Sequence, residues 1–151
     1  MWKLILTLLF ISNTSLAAPS HFSTVVGSAL LCRDQVSATY FNDYMTTYFG
    51  KPAFSSGGAN WWKLSDNDKL FNSQVEYIFV GQELDFIGAT FKDNPDIVIA
   101  NVKELIGIDF KQVAIEKWTV PTFGVLIKYH DKNTPSKMFC IGAPHTHELS
   151  S

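Results

Sequence analysis

The chain has 151 residues, with 12 basic and 14 acidic side chains and a formal net charge of −2 at pH 7. This length is typical of a single domain. Nucleic-acid binding depends on clustered Lys and Arg, and this chain has only one arginine, Arg33, so we expect no nucleic-acid partner.

The first 17 residues have the three-part layout of a secretory signal peptide. Lys3 supplies the positive charge, residues 4–12 are mostly apolar, and Ser15 and Ala17 suit the −3 and −1 positions of a cleavage site. The apolar run is shorter than the roughly 20 residues that span a bilayer. We predict cleavage after Ala17, export to the periplasm or the medium, and no stable membrane anchor on the mature chain.

Two cysteines, Cys32 and Cys140, remain after that cleavage, and an exported protein meets an oxidising compartment. Each ends an apolar run, where burial raises the pKa of a thiol and makes it unreactive. A catalytic cysteine with a histidine partner is the alternative interpretation. We predict a disulfide between Cys32 and Cys140, which would tie the first predicted strand to the last.

A strand and then an amphipathic helix are predicted at the start of the mature domain. Residues 24–32 are β-branched and apolar, which is typical of a strand. Over residues 34–49 the apolar side chains recur every three or four positions, which predicts a helix. Its apolar side is rich in aromatic rings and is interpreted as facing the core; the alternative is a ligand pocket lined by Tyr40, Tyr44 and Tyr48.

The middle of the chain predicts a loop and a β-hairpin. Residues 52–60 are rich in glycine and serine, which predicts a loop. Residues 61–64 alternate and begin the next strand, and the apolar runs 75–80 and 84–91 predict two strands that pair as a hairpin.

The second helix has the clearest boundaries. Asn94 is predicted to be its N-cap, with the side-chain oxygen accepting a hydrogen bond from the first turn, and Pro95 suits the first helical position. Gly107 is predicted to end the helix in the left-handed conformation.

The rest of the chain predicts strands and a tail. A short strand is expected around residues 112–117, and a hairpin is expected from strands at 122–129 and 137–141. The segment 143–151 has no periodicity and is predicted to be a flexible tail.

These elements predict a single α+β domain over residues 18–142, held by one disulfide. Hairpins join most of the strands, which favours a mainly antiparallel sheet with two helices on one face. The order β-α-β-β, then β-α-β-β, also suggests a tandem repeat.

Few residues form a pattern that is typical of catalysis. The chain has no nucleophile elbow, phosphate-binding glycine loop, zinc-protease helix motif or paired C-x-x-C. His145 and His147 could share a metal ion, but they lie in the predicted tail, and we expect neither a metal nor another cofactor. His130 and Asp131 could form a triad with Ser55 or Ser56, although turn chemistry is the simpler interpretation.

Four carboxylates offer a further catalytic hypothesis, because a pair of carboxyl groups can flank a glycosidic bond. All four lie in or beside predicted turns, where acidic residues are expected because they are solvated. These residues are Asp66, Asp68, Glu83 and Asp85.

The stretch around two adjacent tryptophans is the predicted binding site. Neighbouring residues on a strand face opposite sides, so one of Trp61 and Trp62 should fill the core while the other stays exposed. Tryptophan is enriched in binding hot spots. Gly57, Gly58 and Asn60 precede the pair and are included in the site, and the alternative is that both rings are packed.

We therefore expect an exported binding module that acts through another extracytoplasmic protein, for example as an inhibitor, an immunity protein or an accessory subunit. The alternative is a small extracytoplasmic hydrolase with dispersed carboxylate and histidine residues.

Overall fold

The computed structural model describes residues 17–142, so the predicted signal peptide, apart from Ala17, and the predicted tail lie outside the described residues. The helices are α1 Phe22–Leu30, α2 Ala38–Phe49 and α3 Pro95–Ile106. The strands are β1 Phe54–Ser56, β2 Ala59–Lys63, β3 Lys69–Leu70, β4 Ser73–Gly81, β5 Phe86–Phe91, β6 Lys111–Ala114, β7 Lys117–Thr119, β8 Val125–Lys128 and β9 Ser136–Ile141.

The strands form one antiparallel sheet, which confirms the predicted α+β class. Their order is β1-β2-β4-β5-β9-β8-β7-β6, and the short β3 pairs with β4 outside this path. The predicted hairpin in the middle of the chain is present as β4 and β5. Every pair among the described strands is antiparallel, although β5 and β9 are joined by a long connection that includes α3.

The core lies between the helices and one face of this sheet. Trp62, Ile78, Ala89 and Met138 stand opposite one another on four adjacent strands, and all are buried. They belong to one apolar cluster with buried side chains from all three helices. The alternate residues of the same strands point to the other face, which these helices leave uncovered.

The structure contradicts the strand predicted at residues 24–32, because most of this segment belongs to α1. Phe22, Val26, Ala29 and Leu30 are buried at helical spacing. Packing of that stripe outweighs the weak helix propensity of the β-branched residues before Gly27. The described domain therefore has three helices instead of two, and the first unit of the suggested tandem repeat lacks its leading strand.

Helix α2 begins at Ala38, later than predicted, because two side chains bind its first backbone amides. The hydroxyl of Ser37 accepts from the amide of Tyr40, and a carboxylate oxygen of Asp85 accepts from the amide of Ala38 at 2.8 Å. These bonds satisfy donors that a helix leaves free at its start.

Both ends of helix α3 lie where they were predicted, but the side chain of Asn94 does not have its predicted role. Pro95 begins it, and Gly107 ends it with φ of 70°. Asn94 is the N-cap residue, yet its side chain makes no capping hydrogen bond. Instead its backbone oxygen accepts from the amides of Ile97 and Val98.

The predicted loop at residues 52–60 is also wrong, because most of it forms the hairpin of β1 and β2. Gly57 and Gly58 are the two turn residues, with φ of 61° and 74°. Two successive residues with positive φ are what a tight hairpin turn requires, and glycine adopts that conformation without a steric penalty. The glycine-rich composition therefore marks a turn between strands.

The predicted disulfide between Cys32 and Cys140 is present, with the two Cα atoms 5.3 Å apart. It ties the residues that follow α1 to β9, since the expected first strand is a helix. A structural disulfide indicates a protein that folds in an oxidising environment. Within residues 17–142, no helix has the length and apolar character to cross a membrane.

Candidate functional site

Trp61 and Trp62 occupy opposite faces of β2, as the alternation of a strand requires. Trp62 is 2% exposed and its indole nitrogen donates to the backbone oxygen of Gly50 at 2.9 Å. Trp61 is partly exposed, and its indole nitrogen donates to the backbone oxygen of Ser56 at 3.1 Å. Only Trp61 can therefore contact a partner directly, and its role in binding stays a prediction.

Aromatic rings from neighbouring strands surround Trp61 on the face that the helices leave uncovered. Phe54 of β1 stacks on it with ring centres 5.6 Å apart, and Phe79 of β4 stacks on it at 4.5 Å. Because these strands lie on either side of β2, the two rings cover opposite sides of the indole. Tyr77 contacts the cluster edge-on.

Gly88 explains how Phe79 can lie flat on this face. A Cβ atom built at Gly88 would stand 1.8 Å from the Cζ atom of Phe79, so the ring occupies the space that a side chain would need. Glycine inside a strand often marks such a close approach. The Phe79 ring therefore extends across β5 towards β9.

A lysine of β9 lies among these rings. The Nζ atom of Lys137 is 4.9 Å from the ring centre of Phe79, 5.0 Å from that of Tyr129 and 5.9 Å from that of Trp61. Burial lowers the pKa of Lys137, because partial removal from water disfavours the charged form. Within residues 17–142, none of the ion pairs involves Lys137.

We call this surface the aromatic face; it is formed by Phe54, Trp61, Tyr77, Phe79, Tyr129 and Lys137. A cleft of about 340 Å³ opens on it and is lined by four of its rings. Asp131 and the buried Thr134 contribute polar atoms to the same cleft. The face therefore combines the buried ring of Phe79, four rings that are more exposed, one ammonium group and a small recess.

Asn60 has a structural role on the opposite face. Its amide nitrogen donates to the side-chain oxygen of Asn42 in α2 at 2.9 Å. Its side-chain oxygen accepts from the hydroxyl of Ser55 at 2.6 Å and from the side chain of Gln82. These bonds hold the β1–β2 hairpin against α2, so Asn60 does not join Trp61 on the aromatic face, and Gly57 and Gly58 lie exposed at the hairpin tip.

The carboxylates of the glycosidase hypothesis make turn, cap and surface contacts. Asp66 pairs with Lys92 at 3.0 Å, and this hydrogen bond and charge lower the pKa of Asp66. Asp68 accepts from the backbone and hydroxyl of Ser65, and Asp85 binds the start of α2. These contacts explain Asp66, Asp68 and Asp85 without catalysis, and Glu83 is exposed in the turn between β4 and β5.

The histidine hypotheses gain no support from the described geometry. The side chain of His130 is 82% exposed, and its Nε2 atom is 3.5 Å from a carboxylate oxygen of Glu116. The hydroxyl of Ser55 is used by Asn60. Within the described part of the chain, no group of three His, Cys, Asp or Glu residues could hold a metal ion, and the tail histidines lie outside it.

The sequence interpretation missed most of the aromatic face, although a pattern for it exists. In β4, Tyr77 and Phe79 are separated by one position and share the face of Trp61 across the β2–β4 register. Lys137 reaches the same face from β9, which is far away in sequence. The first relation follows from alternation, but the second depends on the order of the strands.

Comparison with family models, with curated proteins and with solved structures gives no match for this chain.

Proposed function

We propose that this protein is an exported binding module whose aromatic face docks a protein partner in the periplasm or the extracellular medium. The observation behind this proposal is a cluster of rings, exposed or partly exposed around the buried Phe79, on a sheet face that the described helices leave open. Phe54 is 44% exposed at the rim of the cluster, and Trp61 lies next to it.

The ring geometry favours a protein partner over a sugar. A sugar typically stacks on the flat side of an aromatic ring, whereas Phe54 and Phe79 cover both sides of Trp61. The indole therefore presents an edge, which suits side-chain packing in a protein interface. Trp and Tyr are enriched in such interfaces, and neighbouring rings that hold each other in place lose little entropy on binding.

The disulfide and the layout of the first 17 residues support export. We expect the protein recovered from the extracytoplasmic fraction to begin at Ala18 and to weigh about two mass units less than its reduced form, because a disulfide lacks two thiol hydrogens. Intact mass spectrometry checks both expectations. An unprocessed N-terminus, or two thiols that react in the native protein, would contradict them.

The binding proposal is tested with the mature protein as bait in the extracytoplasmic fraction of its source, followed by affinity measurement with the purified partner. Trp61→Ala should weaken binding by about 30-fold or more, as at an interface hot spot. Tyr40→Ala is the matched control, because Tyr40 is 52% exposed on α2, away from the aromatic face. The control should bind with wild-type affinity.

Two outcomes would overturn the proposal. In the first, the wild-type bait retains no protein that the Trp61→Ala bait loses. In the second, both variants bind the purified partner as tightly as the wild type.

A further inference from the structure

The proposed function leaves open what the partner presents to the aromatic face. Resting on that function, we infer that Lys137 makes the site specific for an acidic side chain of the partner. The partner inserts an Asp or Glu side chain, flanked by an apolar side chain, and its carboxylate pairs with the ammonium of Lys137.

The surroundings of Lys137 differ from those of Lys92, which has two carboxylate partners. Lys92 lies 3.0 Å from a carboxylate oxygen of Asp66 and 3.1 Å from one of Glu76. Lys137 instead lies over three rings, and no carboxylate among residues 17–142 lies within 4.0 Å of it.

Aromatic rings offset only part of the free-energy cost of removing a cation from water. An ammonium above an aromatic ring gains a modest electrostatic attraction, whereas a charge removed from water is best stabilised by an opposite charge with hydrogen bonds. A partner that covers this face would remove more water from Lys137. Such coverage is unfavourable with a purely apolar partner and favourable with one that supplies an anion.

The cleft on the aromatic face limits the size and polarity of what enters, and Lys137 lies outside its lining. Its volume of about 340 Å³ suits one or two side chains. Two of the rings that line it also lie near the ammonium: Trp61 and Tyr129. Asp131 lines the cleft too, and its Oδ1 atom already accepts from the backbone amide of Asn133 at 2.8 Å. An acidic side chain would therefore enter on the Lys137 side, with its apolar neighbour against the rings.

The test uses 3-phenylpropionate as a probe that joins a carboxylate to an apolar group, and 3-phenylpropanamide as its neutral match. Both are titrated into the oxidised mature protein, and binding is followed by the amide NMR signals of β2, β4 and β9. We expect the carboxylate to bind the wild type about tenfold or more tightly than the amide. In Lys137→Met this ratio should fall to about one.

Lys137→Met is chosen because the methionine side chain reaches as far as Cε of lysine without the ammonium group, so the rings retain an apolar contact and the fold is preserved. Lys69→Met is the control, since Lys69 is exposed on β3 and forms no ion pair among the described residues. The control should keep the wild-type ratio. Equal binding of the two probes, or a ratio that persists in Lys137→Met, would overturn the inference.

The same two variants separate this inference from the proposed function. If Lys137→Met binds the purified partner as tightly as the wild type while Trp61→Ala loses it, the aromatic face binds a protein and the acidic requirement is wrong. If the probe ratio holds but Trp61→Ala still binds the partner, the protein-docking function is wrong. Loss of the partner in both variants, with the probe ratio abolished in Lys137→Met, supports both.

Discussion

The two faces of the sheet are formed by alternate residues of the same strands, yet they are built differently. In β4, Ile78 faces the helices and is fully buried, while its neighbour Tyr77 is on the other face and partly exposed. The buried strand residues of the helix-covered face are mostly aliphatic, whereas the open face carries the ring cluster of Phe54, Trp61, Tyr77 and Phe79. Aliphatic groups need cover from another layer, whereas rings standing side by side shield one another and still keep an exposed edge.

Within β2, this difference gives the two neighbouring tryptophans different roles, one in stability and one in the proposed recognition. Trp62 is enclosed by the core on the helix side, and Trp61 is enclosed only by rings of its own face. The helix-covered face holds most of the apolar burial that stabilises the fold. The aromatic face retains side chains that are ordered before a partner arrives.

Truncating each tryptophan of β2 in turn measures how much each face contributes to stability. Trp62→Ala should lower the free energy of unfolding by about 3–5 kcal/mol, because it leaves a cavity in the core and removes the hydrogen bond to Gly50. Trp61→Ala should lower it by only about 1–2 kcal/mol, since it loses ring contacts on a partly exposed surface. Urea unfolding of the oxidised protein measures both. Equal losses would show that the two faces contribute alike.

A smaller effect is expected where the aromatic face approaches the backbone most closely. Gly88→Ala should lower the free energy of unfolding by about 1–3 kcal/mol, because the new methyl group would stand 1.8 Å from the Cζ atom of Phe79 and the ring must move. The double variant with Phe79→Ala should recover much of the loss relative to Phe79→Ala alone. Without such recovery, the clash is not the cause.

The sequence predicts those parts of the fold that depend on neighbours along the chain. The β4–β5 hairpin, the helix that ends at Gly107 and the disulfide follow from local apolar runs, one glycine and a count of two cysteines. Alternation also predicts that the two tryptophans point in opposite directions. These features need no knowledge of which strands lie side by side.

What the sequence does not predict depends on tertiary packing. Residues 24–32 suit a strand by composition, and only the core that receives Phe22 and Val26 makes most of this segment helical. Likewise, Lys137 of β9 reaches the rings of β2 and β4 because only β5 lies between β9 and β4 in the sheet. The aromatic face is therefore a product of strand order, and the local sequence shows only its separate pieces.

The buried Tyr44 of α2 should make the stability of the fold depend on pH in the alkaline range. Burial, together with the neighbouring Tyr48 and Tyr40, raises the pKa of Tyr44 from 10.0 to about 12. Between these values the unfolded chain releases the phenol proton while the folded protein keeps it, so stability should fall as the pH rises through this range. Compared with Tyr44→Phe, the wild type should lose about 1–2 kcal/mol more between pH 9.5 and pH 11.5.

Unfolding midpoints in urea at several alkaline pH values measure this difference. Tyr44→Phe also loses the hydrogen bond to His21, which should lower its stability by a similar amount at every pH and leave the slope unaffected. Parallel curves for the two proteins would show that the phenol of Tyr44 ionises as freely in the folded protein as in the unfolded chain.

The smallest expected change in stability concerns the N-cap residues of α2 and α3. Ser37→Ala should lower the free energy of unfolding by about 1 kcal/mol, because it removes the hydroxyl that accepts from the amide of Tyr40. Asn94→Ala should change it by less than about 0.5 kcal/mol, because the Asn94 side chain makes no capping hydrogen bond and its backbone oxygen stays in place. Both residues are of types that commonly cap helices, so composition alone predicts equal losses, and only the observed contacts rank Ser37 above Asn94. Matched urea unfolding curves decide between the two, and a larger loss at Asn94 than at Ser37 would mean that its side chain caps α3 in solution.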